Sequence, residues 1–167
     1  MMKTRHSTAA ALLAATLVAV AWMPRDAAAH FNDLPEIVRD ELFYLTRVCT
    51  AVGGRPGDPM TAIERVDLDG DAIPDIILDA GRFTCAGVVP EAHCPEVGCS
   101  TSVFLSHRGS WRPAFDVVGS HCIDRTTTPA TFVTIQRNFI ADGSMTILNV
   151  RYRFSKGMAF QEGRGSC

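Results

Sequence analysis

The chain has no apolar run long enough to cross a bilayer: the longest, Ala9 to Trp22, holds roughly 14 residues where about 20 are needed. It has no excess of positive charge, with 16 Lys+Arg against 18 Asp+Glu. It has no G-x-S-x-G elbow, so Ser100, Ser102, Ser106 and Ser120 are not placed as nucleophiles by any motif, and no histidine is placed as their base. No segment recurs, which excludes a repeat array. No cysteine stands near the N-terminal small-residue stretch, and lipid-anchored export through an N-terminal Cys is therefore disfavoured.

What the N-terminus does have is the three-part layout of a secretory signal: Lys3 and Arg5, the apolar run, then Ala27, Ala28 and Ala29. Cleavage after Ala29 is expected, because a cut one residue earlier would put Asp26 in the small-residue pocket. Residues 1–29 then form the signal peptide and 30–167 a single domain of roughly 138 residues beginning at His30. The location implied is periplasmic or secreted. That domain carries 13 basic and 17 acidic residues, a balance of about −4. The balance argues against a general binder of nucleic acid or anionic membrane, which needs a basic surface.

All six cysteines fall in this part: Cys49, Cys85, Cys94, Cys99, Cys122 and Cys167. An even count in an exported chain reads as three disulfides. Sequence alone leaves the pairing open. The pairing adopted as an expectation is Cys49 with Cys85, Cys94 with Cys99 and Cys122 with Cys167, which ties helix, loop and terminus. The competing reading is a zinc site built on Cys94, Cys99 and His93, but it lacks a second Cys pair.

Asp33-Leu34-Pro35-Glu36 has the form of a helix start, with an acidic N-cap, an early proline and a capping-box glutamate. Leu34, Ile37, Val38, Leu42, Leu45, Val48, Cys49 and Val52 then recur at helical spacing until Gly53 and Gly54. Phe43 and Tyr44 lie partly off this stripe, and ordinary packing is expected for them. After a loop at 55–59 the period changes. Strands are expected at 63–66, 76–80, 103–105, 114–118, 131–140 and 145–154, with a last one through Met158 and Phe160. Along 145–154, Leu148, Val150, Tyr152 and Phe154 alternate with Asn149, Arg151 and Arg153, giving one dry and one wet face. Asp142-Gly143 is a hairpin signal. The fold class expected is α+β: one N-terminal helix packed on a mainly antiparallel β-sheet of about six or seven strands, held by disulfides.

The segment richest in chemistry is Asp67-Leu68-Asp69-Gly70-Asp71-Ala72-Ile73-Pro74-Asp75. Calcium takes six to eight oxygens, and a tight loop offers side-chain oxygens from positions 1, 3, 5 and 9 with a backbone carbonyl from position 7. Here those are Asp67, Asp69, Asp71, Asp75 and the carbonyl of Ile73. Four carboxylates in nine residues repel one another unless a cation lies between them. The bland alternative is a solvated turn broken by Gly70 and Pro74, but a turn needs one or two acids and not four at coordinating spacing. Position 12 is Leu78 where an EF-hand has a bidentate glutamate, and position 6 is Ala72 and not glycine, so calcium binding is expected to be weak, about 10⁻⁴ to 10⁻³ M. Asp79, four residues beyond Asp75, either adds a ligand or faces water.

The D-x-D-G-D-x-x-x-D pattern entering an apolar strand resembles the FG-GAP or VCBS type of calcium loop, over roughly 15 residues. The resemblance implies a local site between two strands, not a propeller, and it departs at Ala72, where such loops usually have glycine. If that position needs a positive φ, alanine costs on the order of 1 kcal/mol. More broadly, the order of a helix with one Cys, this loop running into Ile76-Ile77-Leu78-Asp79, then Cys85 with Gly87, Gly98 with Cys99, and Phe104-Leu105-Ser106 resembles a family of small exported bacterial proteins. That likeness implies fold and export and transfers no catalytic residue.

Other chemistry is thinner. A free His30 amine and imidazole could begin a copper brace with His93, His107 or His121, although the chain is short for the oxidative polysaccharide enzymes that use one. Glu91 and Glu96 flank Cys94 and could form a carboxylate pair, but a solvated loop is expected; Trp111 with Arg112 is either an exposed recognition edge or an ordinary strand start, and packing is expected. The expected function is an exported, non-enzymatic binding or structural module with one weak calcium ion and an unknown protein or cell-envelope partner. An inhibitor of periplasmic hydrolases is one specific version of it. The alternative is a secreted enzyme, copper-dependent through His30 or hydrolytic.

Overall fold

The computed structural model describes residues 31–88, 94, 98–139 and 144–166. The signal segment, His30, Glu91, His93, Glu96, the Asp142-Gly143 turn and Cys167 lie outside these. The helix α1 spans Glu36–Ala51, and the strands are β1 Arg55–Pro56, β2 Ile63–Val66, β3 Asp75–Asp79, β4 Cys85–Ala86, β5 Ser100–His107, β6 Ser110–Val118, β7 Ser120–Asp124, β8 Thr131–Phe139, β9 Met145–Ser155 and β10 Met158–Arg164. They form an inner sheet in the order β2-β3-β5-β6, an outer sheet β10-β9-β8-β7, and a small β1-β4 ladder, all antiparallel. The chain is α+β and mostly β.

The layering follows from which side chains alternate. Val38, Leu42, Leu45 and Cys49 of α1 pack on Ile76, Leu78 and Phe104 of the inner sheet. The other face of that sheet, with Val66, Ile77, Val103 and Leu105, packs on Phe132 and Phe154 of the outer sheet. Both faces of β3 are therefore covered, which is why it reads as an unbroken apolar run instead of an alternation. The single sheet expected from the sequence is split because Gly119, at φ 134°, stands between β6 and β7 and lets consecutive strands leave for different sheets. Neither β7 nor the two-residue strands β1 and β4 were legible as strands.

Two further expectations change. The helix begins at Glu36 with Pro35 in the cap position, not Asp33, since Phe31–Asp33 forms a 3₁₀ turn closed by the Leu34 amide on the Phe31 carbonyl at 3.2 Å. Pro35 makes no side-chain cap; the Arg39 guanidinium instead donates to the Leu34 carbonyl at 2.9 Å. Phe43 and Tyr44 are 52% and 54% exposed and so lie outside the core, Phe43 meeting only the edge of Phe31 among the described ring contacts. Trp111 does pack, partly buried, against the helix-side core.

Two disulfides join as expected, Cys49–Cys85 and Cys94–Cys99. The second uses both thiols that a zinc site would need. Cys122, on β7, is not a free thiol, and its expected partner, Cys167, lies outside the described residues. Among the described residues no helix is long and apolar enough to cross a membrane.

A polar group sits where the two sheets meet. The side chain of His121 on β7 is buried, stacked on Phe132 at 5.1 Å between ring centres, with Nδ1 at 3.4 Å from Thr101 Oγ1 and 3.8 Å from Asp79 Oδ2. Burial holds its pKa below the usual 6.5, against the pull of Asp79 and Glu64. Above pH 6.5 both folded and unfolded chains carry the neutral ring; below it the unfolded chain takes up a proton that the buried ring resists. Stability is thus expected to fall as pH drops from 6.5 towards the lower folded value. His121→Gln should remove that slope, measured as the difference between variant and wild type in chemical denaturation at a series of pH values. Parallel curves would show that His121 does not contribute.

Candidate metal centre

The acidic loop joins β2 to β3, two neighbouring antiparallel strands in the register Val66↔Asp75. Its course is set by side chains bonding back to its own amides, the habit that makes aspartate a turn residue. Asp67 accepts from the amides of Gly70 at 2.7 Å and Ala72 at 3.0 Å, and Asp71 accepts from Ile73 at 2.8 Å. Gly70, at φ 85°, faces Pro129 of the β7-β8 connection, and the Asp67 carbonyl accepts from the Ala130 amide at 3.1 Å. These contacts anchor the loop to the outer sheet.

Asp67, Asp69 and Asp71 each bring a carboxylate oxygen within 4.8 Å of the others, a group able to hold a metal ion. Asp69 is held above the usual carboxylate range by partial burial first and by the Asp71 and Asp67 charges as well; Asp71's amide and His107 work in the opposite direction. Asp75 differs from these three. It is fully buried, and its oxygens accept from the Leu68 amide at 2.8 Å and the Ser106 amide at 2.8 Å. Burial pushes its carboxyl up to about 6 despite both bonds, and the charges of Asp69 and Asp71 push in the same direction. The side chain expected only as the position-9 ligand is therefore also the clasp between the loop and β5. Ser106 could not be found from sequence, since nothing local pairs residue 75 with residue 106.

The other expected positions separate. Asp79 caps the 3₁₀ turn Ala80–Arg82 through the Gly81 amide at 2.8 Å and turns its second oxygen to His121, so it neither joins the loop nor simply faces water. Leu78, at position 12, is buried under α1. Ile73 is 47% exposed on the outside of the loop. Of the copper candidates, His107 is exposed at the end of β5 and His121 is enclosed between the sheets; they form no common site.

Ala72 has φ 66°, the left-handed conformation that makes glycine usual there. An L-side chain in that region costs about 1–2 kcal/mol, and glycine's looser unfolded chain takes back about 0.4–1. Ala72→Gly is expected to stabilise the protein by about 0.5–1 kcal/mol in urea denaturation; a loss of stability would mean the strain is absent. Comparison with protein-family models, curated proteins and solved structures finds no match for this chain.

Proposed function

We propose that this is an exported, non-enzymatic binding or structural module whose loop 67–75 holds one calcium ion as a structural staple. One observation carries the reading. A fully buried carboxylate, Asp75, lies beside the cluster Asp67, Asp69 and Asp71, two of which, Asp69 and Asp71, already raise its energy, and a dication is the economical counter-charge for such a set. Asp67, Asp69 and Asp71 supply carboxylate oxygens, Ile73 its carbonyl, and Asp75 the buried side. A carboxylate oxygen has two lone-pair directions, so the amide bonds and the ion are compatible. All these donors are hard oxygens, which suit calcium better than a softer metal. The two disulfides fit an oxidising, extracytoplasmic location, as does the signal-like N-terminus. The partner is proposed to be a component of the cell envelope.

With a dissociation constant of about 10⁻⁴ to 10⁻³ M, 10 mM calcium stabilises the fold by roughly 1.4–2.7 kcal/mol. For a domain of this size that is a rise of about 4–12 °C in Tm. Asp69→Ala and Asp71→Ala are expected to abolish the rise, and magnesium, which demands tighter octahedral geometry, to give less of it. Identical melting curves in calcium and in chelator would contradict the proposal.

A further inference from the structure

The charges of this protein are segregated. Residues 31–99 carry 13 acidic and 5 basic side chains, residues 100–167 carry 4 and 8. The overall negative balance is thus the average of two unlike halves. The acidic half includes α1, β2, β3 and the Asp loop; the basic half supplies β5 and β6 to the inner sheet and builds all four strands of the outer sheet.

On that outer sheet Phe132, Phe154, Tyr152 and Ala159 point inwards against the inner sheet. Alternation then turns Ile147, Arg153, Met158 and Phe160 to the opposite face. The register sets Arg137 beside Ile147 and Arg153 beside Phe160. Ile147 is 64% exposed, Met158 53%, Met145 51% and Phe160 41%. Arg137, Arg153 and Lys156 are exposed among them. The acidic Glu162 also lies here and is engaged by Arg153 at 2.6 Å.

We infer that this face docks on an anionic lipid surface, its apolar side chains entering the headgroup layer while Arg137 and Lys156 meet phosphates. Three features favour lipid over other occupants. Cations interleaved with exposed Ile and Met match an interface that is apolar a few ångströms below a negative plane. A soluble polyanion would satisfy the cations and leave the apolar side chains in water. A second copy meeting this face with its own would set like charges opposite one another. The acidic excess of residues 31–99 belongs to elements outside this sheet, which favours approach with the basic face towards the surface. This deepens the envelope-partner reading and does not depend on the metal loop.

The test is sedimentation of the purified, disulfide-bonded protein with vesicles of phosphatidylcholine alone and mixed with phosphatidylglycerol, in chelator so that calcium bridging and the Asp loop play no part. Roughly tenfold or tighter binding to the mixed vesicles is expected, weakening as salt is raised. Arg137→Glu with Lys156→Glu should abolish it, Ile147→Ser with Met158→Ser should weaken it, and Asp40→Asn on α1 should leave it unchanged, each variant melting as wild type does. Equal binding to both vesicle types, or wild-type binding by the charge-reversed variant, would overturn the inference. So would self-association by light scattering, or capture by inorganic polyphosphate, with the vesicles unbound. Calcium-dependent melting that persists after such a result would leave the metal reading standing, and the reverse result would leave this one.

Discussion

Asp75→Ala is expected to cost about 2–4 kcal/mol of stability even without calcium, a large loss for a site on a loop-to-strand junction. The carboxylate is the acceptor for two buried amides, Leu68 at the start of the acidic loop and Ser106 near the end of β5. Losing it leaves both N–H groups without their partner, each worth about 1–3 kcal/mol, and bonds to a charged acceptor stand at the stronger end. Relief of the buried charge offsets part of this. Asp75→Asn should fall between the two, because its amide keeps one acceptor and turns a donor against the second N–H. Urea denaturation of both variants in chelator measures the effect. A cost below about 0.5 kcal/mol for Asp75→Ala would show that these amides find other partners and that Asp75 is not the clasp.

The second large effect belongs to Cys49–Cys85, whose partners are 36 residues apart and join α1 to β4 beneath the helix-side core. Removing both sulfurs should cost about 3–4 kcal/mol, mainly by freeing the unfolded chain. Cys94–Cys99, with partners only 5 residues apart, closes a much smaller loop and should cost about 2 kcal/mol. The position of Gly54 supports this weighting. A methyl group there would come within 2.3 Å of Cys85 Sγ and 2.9 Å of Cys49 Sγ, so the glycine that ends the helix also makes room for the bridge. Denaturation of the two double-alanine variants decides it: similar costs, or a larger one for the short bridge, would contradict the loop-length account.

Local pattern revealed what depends on local pattern. The stripe from Val38 to Cys49, the alternation in β9 and the carboxylate spacing of the loop each reflect a period or a turn preference confined to a few residues. The departure of β7 into a second sheet was not legible, because it turns on one backbone angle at Gly119. Nor was the double role of Asp75. Its spacing marked it as a ligand, while its amide partner in β5 lies 31 residues away and is brought there by strand pairing. Phe43 and Tyr44 were misplaced for a related reason: an aromatic side chain beside a helical stripe has the same local signature whether the neighbouring layer covers it or stops short of it. The segregation of charge between the two halves was hidden by the net value, and which basic residues share an exposed face became visible only with the strand register.

The central claim, that the clustered carboxylates persist because a dication neutralises them, is tested most directly by crystals grown in millimolar calcium. The account predicts a single strong density peak among Asp67, Asp69, Asp71, Asp75 and the Ile73 carbonyl, at about 2.3–2.6 Å from their oxygens. Clear density for these five groups with no peak between them, the carboxylates turned only to backbone amides or to water, would contradict it.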